Sequence, residues 1–175
     1  MMGGKAILYI AVSLDGYIAD SSGGVGWLGG EDPRYDGDYG YESFFRGINT
    51  VVMGWNTYRQ VDTELSPGQW PYGGKETYVL THRRLPDREG IHFVERPAVE
   101  LVSQLKGRGD VWICGGAAIV EQVLEQTDEF RLSVMPVLLG GGIRLFPQDG
   151  MHRLALVSAE TENGVLNCIY RKIRP

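Results

Sequence analysis

The chain reads as α/β, a three-layer fold whose mixed, mostly parallel central sheet ends in a C-terminal antiparallel hairpin. Three observations predict this. Short apolar runs alternate with helix-like segments, one such run ends in a glycine pair at the mouth of a helix, and an Asn-Gly dipeptide separates two extended segments near the C-terminus. The 175 residues, 43% of them hydrophobic, suit one domain spanning 1–175 with a sizeable core.

Taken in order, "AILYIAVS" (Ala6 to Ser13) is nearly continuous in apolar residues and too short for a helix, so it predicts a strand buried on both faces. The following 27 residues or so, rich in Gly, Asp and Ser, predict a long loop, and loops of that length in compact domains are usually functional or disordered. "YESFFRG" predicts a short helix with Phe44 and Phe45 turned inward. "TVVMG" (Thr50 to Gly54) predicts a β-branched strand followed by a brief helix over "WNTYRQV". Further strands are predicted at Glu76 to Thr81 and Ile91 to Glu95, then a helix bounded by Pro97 and Gly107. Asp110 to Cys114 is the next strand and "AAIVEQVLEQ" the next helix, with Ile119, Val120, Val123 and Leu124 facing in. After a strand and loop in "EFRLSVMPVLLGGG", Asn163-Gly164 predicts a type I′ turn, which needs φ > 0 at both central positions.

The net charge of −5 speaks against nucleic acid as a partner, and no apolar run is long enough to cross a membrane. The start lacks a leader's cleavage pattern, so a cytoplasmic location is expected. Cys114 and Cys168 fall outside metal or redox spacing and read as buried thiols; His82, His92 and His152 form no metal pattern, and no metal is expected. The acids Glu31, Asp32, Asp36, Asp38 and Glu42 read as a solvated loop.

Ligands of open α/β sheets collect beyond the carboxyl ends of the strands. Three predicted junctions there, "MGWNTY", "LTHRR" and "ICGGAAI", end in small or polar residues. At Gly115-Gly116 the missing side chains would let a pyrophosphate lie against backbone N–H groups opening the Ala117 helix, or would merely permit a tight turn. Asn56 and Thr57 either cap the helix after Gly54 or meet phosphate. The basic "HRR" is either an exposed turn or a second phosphate site.

In order and spacing, "IAVSLDGYIA", "VVMGWNTY", "YVLTHRR" and "VWICGGAAIVEQVL" resemble the dihydrofolate reductase superfamily. "SLDGYIA" and "PVLLGGGIRLF" bring the chain nearer the riboflavin biosynthesis reductase, the C-terminal domain of the bifunctional deaminase-reductase, and its small stand-alone relatives. The resemblance implies NADPH bound across the strand ends and hydride transfer to a pyrimidine- or pterin-like heterocycle. It also implies that Ala11 and Ile18 flank the nicotinamide, and that Gly54, Trp55, Asn56 and Thr57 meet phosphates and ribose. Thr81, His82 and Arg83 would meet the 2′-phosphate and adenine side. Cys114, Gly115, Gly116, Ala117, Ala118 and Ile119 would line the pyrophosphate. Trp55 stands where many relatives carry a basic residue, which shifts selectivity for NADP onto Arg83 and Arg84.

Two departures mark the substrate side. Relatives in riboflavin synthesis carry an acid where this chain has Cys114, and the position of the folate reductases' buried carboxylate, counted back from Phe45, falls on Tyr41. Candidate catalytic groups are Asp15, as orienting carboxylate or proton relay against a plain Asp-Gly turn, and Glu42, as a substrate anchor against an exposed helix residue. Trp27, Tyr41 and Phe45 are candidates for stacking on the substrate ring. The rival readings are a true dihydrofolate reductase and a nucleotide-binding protein of the same fold without turnover. The exposed edges of the C-terminal hairpin predict a homodimer.

Overall fold

The computed structural model describes residues 3–146 and 150–173. Eight strands form one sheet in the order β5-β4-β3-β6-β1-β7-β10-β9. These are β1 (Ala6–Ser13), β3 (Thr50–Gly54), β4 (Glu76–Leu80), β5 (Ile91–Val94), β6 (Val111–Gly115), β7 (Glu129–Met135), β9 (Leu154–Glu162) and β10 (Val165–Lys172). From β5 through β7 every neighbouring pair is parallel. The last two strands reverse: β10 lies antiparallel between β7 and β9.

The alternation of side chains along the parallel strands divides two cores. Leu8, Val52 and Ile113 face helices α3 (Ala98–Lys106) and α4 (Ala117–Val123), packing with Leu101, Val102 and Val120. Their sequence neighbours Ile7, Val51, Met53 and Trp112 face α1 (Tyr41–Gly47) and α2 (Trp55–Gln60), packing with Phe44, Ile48 and Tyr58. Burial on both faces is why these strands read as continuous apolar runs. Pro97 precedes α3 and Gly107 ends it, as predicted. Asn163 and Gly164 both take positive φ, 50° and 74°, so the hairpin closes as the dipeptide foretold.

Apart from β4 and β5, which each end one residue short of the predicted bound, three details depart from the sequence reading. The β6 strand starts one residue later than predicted, since the Asp110 N–H donates to the Asn49 side chain at 3.0 Å and not to a neighbouring strand. The α2 helix continues as a single π turn over Val61–Leu65. Within the predicted long loop, β2 (Tyr17–Ala19) pairs with β8 (Ile143–Arg144) as a small second sheet. A side chain at Gly142, where φ is +130°, would sit 2.1 Å from the Ala19 carbonyl oxygen, so only glycine admits that pairing. The remainder of the loop is tied to the hairpin. Asn163 accepts the Asp32 N–H and donates to the Asp32 carbonyl and the Tyr39 hydroxyl.

Candidate functional site

Because β1, β3, β4 and β6 run parallel, their carboxyl ends share one edge of the sheet. There Gly115, with φ +127°, needs to be glycine. Gly116 does not: its φ is −80°, and a Cβ added there would meet Thr57 Oγ1 at 3.5 Å, an ordinary contact. A Cβ at Gly115 would lie 3.6 Å from Ile10 Cδ1 and 3.9 Å from Thr57 Oγ1. A tight turn therefore accounts for the first glycine and leaves the second unexplained. The pair leaves bare backbone beside the Thr57 hydroxyl at the start of α4, buried at Gly115 and half-buried at Gly116. The peptide joining the two is cis. Gly54 has a different reason: a Cβ there would press to 3.2 Å on Ile119 of α4, so close packing of strand and helix selects it.

The N-cap of α2 is Gly54 and no side chain caps it, which removes the capping reading of Asn56 and Thr57. Asn56 is exposed, and Thr57 faces the glycine pair. Ala117 and Ala118 open α4, with Ala118 exposed, while Ile119 is buried in the core. Beyond β4, Thr81 accepts the Arg83 N–H at 3.1 Å and the Arg83 guanidinium lies over the Trp55 ring, 4.8 Å from its centre. His82 turns instead to Glu95, 2.9 Å away. The structure thus joins Trp55 to Arg83 and Thr57 to the glycine pair, across elements distant in sequence.

The α1 face of the sheet carries an aromatic wall, centred on Trp112, which pairs with Ile7 and Val51 near the starts of β1 and β3. Trp112 is ringed by Tyr9, Tyr41, Phe44, Phe45 and Tyr72 at centroid distances of 5.1 to 6.3 Å. Tyr41 stacks on Phe45. Cys114 joins this wall, with its sulfur 4.0 Å from the Tyr72 hydroxyl, so its contribution beside the glycines comes through backbone and not through the thiol. Burial pushes the Cys114 thiol up to about 12 and the Tyr41 hydroxyl, also beside Cys114, up to about 12; both stay protonated at neutral pH. Tyr9, Tyr72 and Trp112 escaped the sequence reading. The available signal was the period-2 alternation along "VWICG", which puts Trp112 and Cys114 on one face.

The other candidates sit apart from this wall. Trp27 donates its ring N–H to Gly24 O at 3.2 Å within its own loop, and none of the ring contacts joining Tyr41 and Phe45 to the wall includes it. Glu42 is exposed on α1. Asp15 accepts from the Ser13 hydroxyl at 2.7 Å and from the N–H groups of Leu139 and Gly140 at 3.1 and 2.8 Å. These bonds, the Ser13 hydroxyl first, lower its carboxyl to about 2, and they fasten the loop after β7 to the end of β1. Ala11 and Ile18 are half-buried on β1 and β2.

Compared with known proteins, residues 5–166 match the RibD C-terminal domain family. The chain belongs to that family. Among the chain's relatives is YwjB of Bacillus subtilis (strain 168), an uncharacterized protein 40% identical over 149 residues, covering 81% of this chain and 82% of YwjB. YyaP of the same organism, also uncharacterized, is 30% identical over 183 residues, covering 95% of this chain and 94% of its own. A provisionally named riboflavin biosynthesis protein of Shewanella sp. PV-4 superposes with a TM-score of 0.84 at 28% identity, over 97% of this chain and 99% of that one. The Thermotoga maritima diaminohydroxyphosphoribosylaminopyrimidine deaminase/5-amino-6-(5-phosphoribosylamino)uracil reductase shares the fold: TM-score 0.75, 15% identity, 98% of this chain but 57% of that one.

Proposed function

We propose that this RibD-family chain is an NADPH-dependent reductase that passes hydride to a pyrimidine- or pterin-like ring. The observation that carries the reading is the bare backbone at Gly115-Gly116: its second glycine has an ordinary φ and room for a Cβ, and a glycine surface beside Thr57 at the mouth of α4 suits a pyrophosphate. The coenzyme, when bound, supplies the hydride. Gly115, Gly116, Thr57 and the N–H groups of Ala117 and Ala118 would hold its diphosphate, and Thr81 and Arg83 its 2′-phosphate side. Ala11 and Ile18 would leave room for the nicotinamide. Tyr41 and Phe45 would stack on the acceptor, and the wall around Trp112 would keep water from it. Asp15 contributes by fixing the loop beside the cleft, since a carboxylate held by three donors is a poor proton relay.

A folate reductase is the weaker reading, because Tyr41, a neutral hydroxyl, stands where that chemistry places a carboxylate. We further propose that the chain acts in the cytoplasm as a homodimer on a small heterocycle, without nucleic acid or membrane. The deciding measurement is calorimetry and thermal shift with NADPH, followed by coenzyme oxidation with pyrimidine, pterin and dihydrofolate acceptors. A specific rise in melting temperature with turnover of a pyrimidine supports the proposal. Binding without oxidation of any acceptor favours a nucleotide-binding protein, and no heat or stabilisation at saturating coenzyme rules the reading out.

A further inference from the structure

The Arg83 guanidinium carbon lies over the Trp55 ring, 4.8 Å from its centre, while Trp55 itself is wedged against Tyr58 and Phe93 at centroid distances of 5.4 and 6.5 Å. Arg83 enters no ion pair among the described residues, whereas Arg59 is held by Glu64 and Arg88 by Asp62. The neighbouring His82 is the residue that pairs with Glu95. Stacking uses the π face of a guanidinium and leaves its in-plane N–H fork open, and that fork matches a phosphate with two parallel bonds. An exposed arginine on its own surrenders rotamer entropy when it captures a phosphate; one already seated on an indole surrenders less.

We infer that Trp55 is a positioning residue for coenzyme choice: its ring holds Arg83 ready for a phosphate monoester on the adenosine ribose, so selectivity for NADPH over NADH runs through the Trp55–Arg83 stack. The inference rests on the coenzyme reading above and adds to it the residue pair that discriminates. Trp55 needs to touch neither coenzyme. Its removal should weaken only the one that carries the extra phosphate.

The test is the ratio of dissociation constants for NADPH and NADH, measured by calorimetry on the whole chain. Wild type should prefer NADPH by at least tenfold. Arg83→Ala should bring the ratio near one with NADH affinity unchanged, and should flatten the salt dependence of NADPH binding. Trp55→Ala should lower the ratio by about three- to thirtyfold, the span expected for a partly desolvated cation–π contact. Trp55→Phe, which keeps a flat face against Tyr58 and Phe93, should restore most of it and guards against an unfolded alanine variant. A ratio unmoved in Trp55→Ala, or both coenzymes weakened alike, overturns the inference, as does a wild type that binds the two equally. If wild type binds neither, the coenzyme reading itself falls, a result distinguishable from all of these.

Discussion

The parallel half of the sheet and its antiparallel finish are built to different standards. From β4 to β1, strands are covered on both faces: Leu8, Val51, Val52 and Ile113 are 0% exposed. In β9, Leu156 and Val157 are 57% and 47% exposed, although that strand is nine residues long. Burial is concentrated where helices cover the sheet, and the candidate site occupies the carboxyl edge of that same half. The finish leaves a long edge with apolar side chains in water, which a monomer has reason to cover.

Truncating the best-packed aromatic should give the largest effect. Trp112 is 4% exposed and touches five rings. Trp112→Ala should lose about 3–5 kcal/mol in urea unfolding, while Leu156→Ala on the finish should change stability by about 0.5 kcal/mol or less. Equal losses would erase the contrast between the halves.

The seam between them offers the next test. Glu129, at the start of β7, is 1% exposed. Burial alone would raise its carboxyl, but Arg131 on its own strand, Arg171 on β10 and Lys5 before β1 outweigh it and hold the carboxyl below the ordinary range. A depressed carboxylate adds stability that is complete above its unfolded value near 4.5 and is lost as pH falls through the lower folded value. Glu129→Gln should lose about 1–3 kcal/mol at pH 7, on the scale of hydrogen bonds to charged groups, and the gap to wild type should close in the acid range. A gap that persists at low pH would mean that packing, and not charge, holds the seam.

What the sequence disclosed follows the same division. The doubly covered strand Ala6–Ser13 and the Asn163-Gly164 turn were legible because local pattern alone specifies them: a continuous apolar run in one case, two positive φ angles in the other. The β2–β8 sheet was not, because strands of three and two residues are too short to show a period. At the site, the glycine pair and Thr57 stood out by residue type. The wall around Trp112 and the Trp55–Arg83 stack did not, since their partners come from separate elements and only tertiary packing chooses which rings meet. Asp15 read equally as catalyst and as turn former; the N–H groups of Leu139 and Gly140, far along the chain, supply the structural role.

The two glycines at the end of β6 separate fold from function within the parallel half. Gly115→Ala places a side chain at φ +127° and should cost about 1–3 kcal/mol in thermal or urea unfolding. Gly116→Ala should leave the melting temperature within a degree or two, because its φ is ordinary and its Cβ meets only Thr57 Oγ1 at 3.5 Å. NADPH affinity should nevertheless fall by about tenfold or more as the methyl stands where the diphosphate is proposed to lie. Unchanged affinity in a folded Gly116→Ala would show that the glycine pair is not where the diphosphate lies.

The smallest expected change in folding stability is also the one that decides what the exposed finish is for. If β9 pairs or packs with a second copy, placing charges at Leu156 and Val157 with Leu156→Lys and Val157→Lys should shift the mass in native mass spectrometry from dimer to monomer. Each monomer's urea midpoint, read at low protein concentration where dissociation is already complete, should barely move, since both positions lie largely in water. A wild type that is monomeric throughout would leave the long apolar edge of β9 without that explanation. A dimer that survives both substitutions would place its interface elsewhere. In either case the division of labour changes: the finish would then serve the fold alone, through Val165 and Cys168, buried on β10, and through Leu154 and Tyr170, packed against the core.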